Sequence, residues 1–481
     1  METIPPFNLL DRFNMWLKTS IMIKLLSIGF LVLILLLPAS WIDHLIYERQ
    51  SRAESVMQEV ASKWSGSQTL SGPILVIPYK RFEKIDRGKN GIEIIEHHEQ
   101  YFFLPETLDI TTNVDPTTLH RGIFDAVVYN SSFAAAANFA KPDFSALGVN
   151  EENVLWKDAQ MIFNITDLRG IVDQNPLFMV GGKSLETEPS NNVGVQVKKF
   201  ERQYTGVTYD DAVATEDPSN LSSEGIIANL GWKSADDFQG NTAIKLKLKG
   251  SRKLSFVPSG KTTTVSLQGN WNDPSFDGEF LPDNREITNQ GFKANWKILH
   301  YNRPFAQHWN SADQELTGSE FGVKLLVPVD QYQKSMRTSK YGHLIIILTF
   351  ISLLLVELTK GVRIHPFQYI LIGTALIIYY TLLLSFSEQL GYDTAYWIAT
   401  VATVTLISLY SITFLKSSRL ILLLTLLLTI FYSFIYIIIL QQDFSLLIGS
   451  IGLFLIVGAL MYFSSKVKWY DERSLAAETK E

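Results

Sequence analysis

The sequence predicts a membrane protein in which an α-helical bundle of six transmembrane helices carries a large, mainly antiparallel, sandwich-like β domain outside the cytoplasm. Three observations lead to this fold class. Five apolar segments follow one another closely in the last third of the chain, and a sixth lies near its start. The long polar stretch between them alternates apolar and polar residues with a period of two. A length of 481 residues also favours more than one domain.

Each of the six apolar segments is long enough to cross a bilayer, because a helix of about 20 residues spans a hydrocarbon layer about 30 Å thick. The predicted helices cover residues 25–42, 341–358, 367–386, 394–415, 420–440 and 446–463. A cleaved signal peptide is a rival interpretation of the first segment, since Lys24 precedes it and Pro38-Ala39-Ser40 ends it. The apolar run is long for that purpose, and Leu37 with Ala39 makes a poor cleavage site, so we expect a retained helix.

Lysine and arginine residues in the short connections predict the orientation of the helices. They occur before the first helix and then in alternate connections, as Arg12, Lys18, Lys24, Lys360, Arg363, Lys416, Arg419, Lys466, Lys468 and Arg473. The other connections carry only the acidic residues Glu388, Asp393 and Asp443. Both termini of this multi-pass chain are therefore expected in the cytoplasm, and residues 43–340 are expected outside it.

These assignments predict five regions along the chain. They are a cytoplasmic N-terminal segment (1–24), transmembrane helix 1 (25–42), a periplasmic β-rich domain (43–340), transmembrane helices 2–6 (341–463) and a cytoplasmic tail (464–481). The net charge of −6 provides no large basic face, so a nucleic acid is not an expected partner. The chain contains no cysteine, which excludes disulfides, thiolate metal sites and a cysteine nucleophile.

The periplasmic region changes its period after a short helical stalk. Apolar residues recur at helical spacing at Val56, Met57, Val60, Ala61 and Trp64, which predicts that the first helix continues outward and packs on the domain. Beyond it, strands with one buried and one wet face are predicted from alternation around residues 193–197, 241–249, 265–271 and 292–298.

Turn signals and two irregular stretches interrupt these strands. Turns are predicted at Ser71-Gly72-Pro73, Arg87-Gly88, Gly181-Gly182 and Pro258-Ser259-Gly260. Residues 131–148, which are rich in alanine, are expected to form a loop or a short helix. Residues 205–240, which are rich in Asp, Ser, Asn and Gly, are expected to form a long surface excursion.

One group of polar residues matches part of a calcium-binding loop. Asp273, Ser275, Asp277 and Gly278 match places one, three, five and six of a calcium loop, but Asn284 stands where a bidentate Glu is needed. We therefore expect acidic residues in solvated turns, with Trp271, Phe276 and Phe280 supporting the core.

Histidines give no stronger signal. His97 and His98 are neighbours on a strand, so they face opposite sides and are expected at a solvated edge. His300, Arg303 and His308 could line a polar cleft, but no nucleophile accompanies them at a recognisable spacing. Catalytic motifs such as G-x-S-x-G, H-E-x-x-H and the P-loop are missing. No catalytic, cofactor-binding or metal residue is predicted, no cofactor is expected, and the ligand-binding residues stay unknown.

Charged residues inside a bilayer are functional candidates by default, and this chain has few of them. Lys24 and Glu357 fall near predicted cytoplasmic ends, where their side chains can reach the interface, and His343 falls near the outer surface. Ser385, Thr400, Thr403 and Gly458 are interpreted as ordinary helix-packing residues.

The order of several segments resembles the CreD family of bacterial inner-membrane proteins. The segments are Ser71-Gly72-Pro73 with Ile74 to Tyr79, residues 271–282, Gly291 to Trp296, Arg303-Pro304-Phe305, and Phe321 to Tyr332 running on through Arg337, Lys340 and Tyr341. The resemblance implies a cell-envelope integrity protein, linked to a two-component regulatory response and to tolerance of a colicin and β-lactams. It implies no catalytic residues, so none is transferred.

The leading hypothesis is therefore a non-enzymatic protein that supports envelope integrity. Its expected partners are the lipid bilayer and an envelope lipid, a cell-wall component or another envelope protein. The alternative is a transporter or flippase-like component for lipid or cell-wall precursors, which predicts a polar cavity among helices 2–6. A third hypothesis is an envelope hydrolase, which requires a nucleophile and a base that converge within residues 43–340.

Overall fold

A computed structural model describes residues 21–87, 92–145, 148–198, 221–310, 314–325, 330–441 and 444–465. The chain divides into two compact units. The membrane unit comprises Met1–Arg52 and Val329–Glu481, and the β unit comprises Ala53–Pro328.

Seven α-helices are found among the described residues. They are α1 (Ile21–Trp64), α2 (Asp330–Lys340), α3 (Gly342–Lys360), α4 (Pro366–Leu390), α5 (Tyr392–Leu415), α6 (Ser418–Leu440) and α7 (Ser445–Ser464). Helices α2 and α3 together form one apolar span, Gln331–Lys360, so six spans in the described chain are long and apolar enough to cross a membrane. This confirms the predicted number of apolar helices.

Local residue chemistry explains where several helices begin and end. Pro366 occupies the first turn of α4, where a missing N–H costs nothing, and His365 caps the helix by accepting a hydrogen bond from Phe367 N at 3.2 Å. Gly361 ends α3 with a left-handed φ of 67°, a conformation that glycine adopts without strain. Helix α1 continues without a break for 44 residues, about 66 Å at 1.5 Å per residue, even though Pro38 lies inside it.

The β unit contains two large sheets and one small sheet within the described residues. The first large sheet contains β1 (Gln68–Asp86), β2 (Ile92–Phe103), β5 (Gln160–Ile165), β8 (Thr187–Ser190), β11 (Gly225–Asn229), β13 (Lys253–Phe256), β15 (Pro274–Gly278), β18 (His308–Trp309) and β20 (Phe321–Leu325). The second contains β3 (Thr107–Arg121), β4 (Phe124–Asn138), β6 (Leu177–Val180), β7 (Lys183–Leu185), β12 (Asn241–Ser251), β14 (Thr262–Gly269), β16 (Asn284–Thr288) and β17 (Gly291–Leu299). The small sheet contains β9 (Val195–Lys198), β10 (Leu221–Ser222) and β19 (Gln314–Glu315).

Strand pairing is mixed rather than purely antiparallel. The first large sheet runs in the order β15-β20-β13-β1-β5-β11-β8, with β2 beside β1, and the second runs β16-β17-β14-β3-β4-β12-β6-β7. Most neighbours are antiparallel, but β1 with β13, β14 with β3 and β19 with β9 are parallel. Parallel pairs join segments that are distant in the sequence, which the local alternation pattern cannot reveal.

Side chains from both large sheets form one hydrophobic core. Phe256 of β13 and Phe163 of β5 come from the first sheet, and Phe133 of β4 comes from the second. The ring centroids of Phe133 lie 5.3 Å from those of Phe163 and 6.4 Å from those of Phe256. The predicted alternation is confirmed on β12, where Thr242, Ile244, Leu246 and Leu248 are buried and their neighbours are more exposed. Burial of this apolar face drives formation of the sheets.

Three predictions about irregular segments are wrong in part. Residues 131–138 are not a loop or helix but the end of β4, where alternate alanines face the core. The excursion at 205–240 includes β10, β11 and a short 3₁₀ turn from residue 221 onward, and its first part lies outside the described residues. Ser71-Gly72-Pro73 is not a turn between strands, because it forms an irregularity inside β1 at its pairing with β5. Small residues and proline predicted a chain reversal there, and the strand accommodates them as a bulge instead.

The last turns of α1, from Ala53 onward, belong to the β unit and pack within it as the stalk pattern predicts. Ala61 is buried, and Val56, Met57, Val60 and Trp64 are half-buried. The ammonium of Lys249 lies 4.5 Å from the centre of the Trp64 ring, and Arg121 pairs with Glu59 at 2.8 Å. After the helix, Gly66 N donates to the Asp167 carboxylate at 2.9 Å, which fixes the start of β1.

Candidate functional site

The strongest candidate site in the membrane unit is the Glu388 carboxylate near the end of α4. Its side chain is only 6% exposed. The Arg49 guanidinium of α1 donates to both carboxylate oxygens, through Nε at 2.8 Å and through the terminal nitrogen at 2.5 Å. The buried Tyr332 hydroxyl of α2 donates to Oε1 at 3.0 Å. Such a bidentate, charge-assisted arrangement is the strongest hydrogen bonding available to a carboxylate in a protein.

The two partners of Glu388 lie on the two segments of the chain that connect the membrane unit to the β unit. Arg49 is among the last residues of the membrane unit before the β unit begins, and Tyr332 is among the first after it ends. The two segments that connect the units in the chain are therefore bonded to one buried carboxylate on α4. We call Arg49, Tyr332 and Glu388 the connector clasp.

A second ion pair lies toward the other end of α4. The Lys24 ammonium of α1 is 2.7 Å from the Glu357 carboxylate of α3, which is 5% exposed and also accepts a hydrogen bond from the Tyr369 hydroxyl at 3.4 Å. Tyr369 and Glu388 are 19 residues apart on α4, about 29 Å along the helix axis. That separation is close to the hydrocarbon thickness of a bilayer, about 30 Å. The two ion pairs thus lie at a spacing that places one near each membrane surface.

Between the ion pairs, tyrosines from three helices form a buried cluster. The ring of Tyr379 on α4 lies 5.9 Å from that of Tyr396 on α5 and 4.6 Å from that of Tyr432 on α6. The Tyr396 hydroxyl donates to the carbonyl of Tyr432 at 2.7 Å. Tyr380 packs beside Tyr379 with ring centroids 4.9 Å apart. We call Tyr379, Tyr380, Tyr396 and Tyr432 the tyrosine cluster.

Two hydroxyl groups of this region have no hydrogen-bond partner within the described part of the chain. They belong to Tyr380 and Tyr432, which are at most 5% exposed. A polar group buried without a partner costs free energy, and more so at membrane depth, where bulk water is excluded. The bundle core is therefore more polar than its apolar sequence indicates.

The structure revises the sequence interpretation of these membrane residues. The sequence predicts that the Lys24 and Glu357 side chains reach the interface, and in the structure they also pair with each other. Thr400 and Thr403 are buried as packing residues should be, whereas Ser385 and Gly458 lie on exposed faces. The sequence analysis assigns Glu388 to a connection between helices. The one signal that could have identified it is that Glu357 and Glu388 each lie near the end of an apolar segment.

The calcium-like segment has a different structural role. Asp277 lies on β15 rather than in a solvated turn, and its carboxylate is 2.7 Å from the Lys253 ammonium and 2.9 Å from that of Lys324. In a calcium site the Asp277 carboxylate would have to bind the metal ion, but here it is bound by two lysine ammonium groups. As predicted, Trp271, Phe276 and Phe280 pack against the core.

The histidine candidates are dispersed. His97 and His98 are bonded to Glu83 and Glu96 on opposite faces of a ribbon, as expected for neighbours on a strand. His308 is bonded to the Tyr101 hydroxyl at 3.1 Å. Arg303 is buried and donates to the carbonyl of Phe305, and burial lowers its pKa to about 10. Arg303 thus supports the fold of its own loop, and no convergence of these residues on a cleft is found in the described chain.

A comparison with protein families settles the membership of the chain. The model of the family described as inner membrane protein CreD matches residues 20–470, which include both units. The chain belongs to the CreD family. Among characterised proteins, it is 29% identical over 461 residues to the inner membrane protein CreD of Escherichia coli strain K12, covering 94% of this chain and 95% of that protein.

Three of the CreD segments quoted above lie in the first large sheet, whereas Gly291 to Trp296 lies on β17 of the second. The strand that carries Ser71 to Tyr79 is β1, and β13 and β20 lie beside it in that order, with β15 at the edge. Asp277 of β15 faces Gly322 of β20, so the 271–282 and 321–332 segments are neighbours in the sheet. CreD membership and the six apolar helices together establish a multi-pass inner membrane protein with a β-rich region.

Replacing Asp277 by asparagine tests the role of this carboxylate. Burial alone would raise the pKa of Asp277, but hydrogen bonds from Lys253 and Lys324 outweigh burial and leave the pKa below its usual value. We expect Asp277→Asn to lower the free energy of unfolding of the β unit by about 1–2 kcal/mol at neutral pH, measured by urea denaturation of the full chain.

The same measurement has a defined pH dependence. Because the folded-state pKa is depressed, the stabilisation is complete above the ordinary aspartate pKa of about 3.9 and is lost as the pH falls through the folded-state value. The difference between wild type and Asp277→Asn should therefore be constant from about pH 7 to about pH 5 and shrink below about pH 4. A difference that grows on acidification would contradict the ion-pair interpretation.

Proposed function

We propose that this chain is a non-enzymatic inner-membrane protein that supports cell-envelope integrity and tolerance of envelope-directed agents. Its β unit binds an envelope lipid, a cell-wall component or another envelope protein, and its membrane unit anchors or relays that contact. The connector clasp is the observation that carries this proposal, because Arg49 and Tyr332 couple both connecting segments to Glu388.

The orientation belongs to the same proposal. The basic residues in alternate connections support cytoplasmic termini and a periplasmic region at residues 43–340. The shared core of the two large sheets supports a sandwich-like packing of that region, with helix 1 retained as a membrane anchor. In this arrangement the β unit is available to components of the cell wall and the membrane surface.

The contacts of Asp277 and His300, the two polar residues considered for hydrolysis, favour a binding role instead. Asp277 is held by two lysines, and the ring of His300 lies against Tyr301 with centroids 3.9 Å apart. No nucleophile and base are brought together by the residues discussed. Substituting His300 or Asp277 should therefore leave the envelope phenotype intact at equal protein level.

A transporter or flippase-like component for lipid or cell-wall precursors is the second candidate function. The tyrosine cluster favours it, because the unpartnered hydroxyls of Tyr380 and Tyr432 give the bundle core a polar interior. In α3 to α7 the charged residues lie near the helix ends, which weakens the case for ion-coupled transport.

Complementation of a deletion strain tests the proposal. Dye uptake and detergent survival would be compared for the full chain and for residues 43–340 anchored by an unrelated helix, at matched protein levels. Deletion should increase dye uptake and sensitivity, and the anchored region should restore both. An unaffected envelope after deletion would refute the integrity role, whereas rescue by the full chain alone would move the function to the membrane unit and favour the second candidate.

A further inference from the structure

A two-stranded ribbon extends from the first large sheet of the β unit. The second half of β1 pairs with the first half of β2, from Tyr79 opposite Glu99 to Asp86 opposite Ile92. Most of its side chains are exposed on both faces. Three of them are large and apolar, since Phe82 is 47% exposed, Ile94 59% and Ile92 68%. Isolated two-stranded ribbons are marginally stable in water, so this one gains from a further partner.

The outer edge of the ribbon is open within the described chain. Strand β18 pairs with β2 only at Phe102 and Phe103, so residues 92–100 of β2 have a neighbouring strand on one side alone. Leu104 N donates to Gln307 O on the side away from β1. Residues two apart present main-chain groups to the same side, so Ile94, Glu96 and His98 present theirs to the open edge. An open edge of this kind is a template for another strand.

Most charged side chains of the ribbon pair with one another. Lys80 pairs with Glu96 at 2.7 Å, Arg81 with Glu99 at 2.6 Å, and Glu83 with His97 at 2.9 Å. Near the tip, Arg87 pairs with Glu93. Because its charges are balanced, the ribbon should not attract an anionic or a cationic polymer. We therefore expect main-chain hydrogen bonds and apolar contacts to determine its partner.

We propose that the partner is a second copy of this chain, bound edge to edge through β2. In the proposed pairing, two β2 strands run antiparallel about a two-fold axis at Ile95. Ile95 then faces the second copy's Ile95, Glu93 faces His97, and Ile94 faces Glu96. Each acidic–histidine contact occurs twice because the interface is isologous. The apolar Ile95 pair and the hydrogen bonds between glutamate and imidazole across the antiparallel strands are stabilising.

Other two-fold registers are less complementary. An axis at Glu96 places that carboxylate opposite its own copy and Glu93 opposite Glu99, which is destabilising. An axis at His97 places imidazole opposite imidazole, and an axis at Ile94 shortens the pairing because β2 begins at Ile92. The charge pattern therefore selects the axis at Ile95.

Because the chain has no cysteine, a single introduced thiol tests the pairing directly. Ile95 lies at a non-hydrogen-bonded position, where the two α-carbons are about 4.5 Å apart, within the range a disulfide can bridge. Full-length Ile95→Cys, oxidised in native membranes, should give a disulfide-linked dimer on a non-reducing gel. Lys245→Cys, at an exposed position of β12, should stay monomeric. Equal dimer yields for the two variants would overturn the proposal.

A matched pair of charge substitutions provides a test that needs no thiol. Ile95→Lys places two ammonium groups on the axis, whereas Ile92→Lys places each ammonium at the margin. Both new lysines lie opposite an acidic residue of β1, Glu83 or Asp86, so the ribbon itself should tolerate both. Light scattering of the full chain in detergent should report dimers for wild type and Ile92→Lys and monomers for Ile95→Lys. A monomeric wild type, or two variants that behave alike, would overturn the proposal.

Discussion

Glu388→Gln should open the membrane unit by releasing α2 and the end of α1 from α4. The substitution keeps the size of the side chain but removes the charge that holds the Arg49 guanidinium. Loss of one partner of a fully buried ion pair costs about 3–5 kcal/mol, and the partial exposure of Arg49 reduces the expected loss to about 2–3 kcal/mol. Tyr332→Phe removes a single hydroxyl and should cost about 1 kcal/mol.

A buried thiol in α2 can report this opening. Ser335 is 1% exposed, its hydroxyl has no partner in the described chain, and it lies one turn after Tyr332. Labelling of Ser335→Cys in native membranes should accelerate about 30- to 150-fold when Glu388→Gln is added, because each 1.4 kcal/mol is a factor of ten. Glu48→Gln, which removes an exposed charge next to Arg49, is the matched control and should leave the rate unchanged. Equal rates in the two variants would show that the clasp does not hold α2 in place.

Phe256→Ala should destabilise the β unit more than any surface substitution. The Phe256 side chain is fully buried and contacts Phe321 within its own sheet, at 6.1 Å between ring centroids, and Phe133 of the other sheet. Truncating a buried phenylalanine removes its transfer free energy and leaves a cavity, which together cost about 3–5 kcal/mol. The urea midpoint of the β unit in the full chain should fall accordingly.

Phe82→Ala is the control for this prediction. Phe82 also lies on a strand, but it is 47% exposed on the ribbon, so its truncation should change the free energy of unfolding by no more than about 0.5 kcal/mol. If the two variants unfold at the same urea concentration, Phe256 does not join two packed sheets and the sandwich-like core is wrong.

The elements that the sequence predicts well are those whose pattern is local. The apolar length of the helices and the alternation of residues 241–249 depend only on neighbouring residues, and both are found in the structure. The parallel pairing of β1 with β13 joins Gln68 to Leu254, and no local pattern carries that information. Residues 131–138 were misjudged because alanine has no strong preference for a strand, and the neighbouring strands β3 and β12 impose one.

The partners in the candidate site could not be predicted from the sequence, because they are distant along the chain. The acidic character of Glu388 and Glu357 is visible in the sequence, but their partners lie 339 and 333 residues away. The tyrosines of the membrane helices share no local sequence pattern that would link them. Only the packing of α4, α5 and α6 brings Tyr379, Tyr396 and Tyr432 together.

The last helix, α7, has a consequence for how the chain is made. None of the most apolar 18 residues of α7 is buried within the described chain, although Gly452 lets it approach the Phe434 ring of α6 closely. During biosynthesis such a segment must leave the translocon for lipid on its own hydrophobicity, since the preceding helices offer it little contact. The sequence of α7 is therefore constrained by its free energy of transfer into lipid rather than by side-chain packing. Exchange among Leu, Ile, Val and Phe in α7 should be neutral, whereas one charged residue should impair insertion.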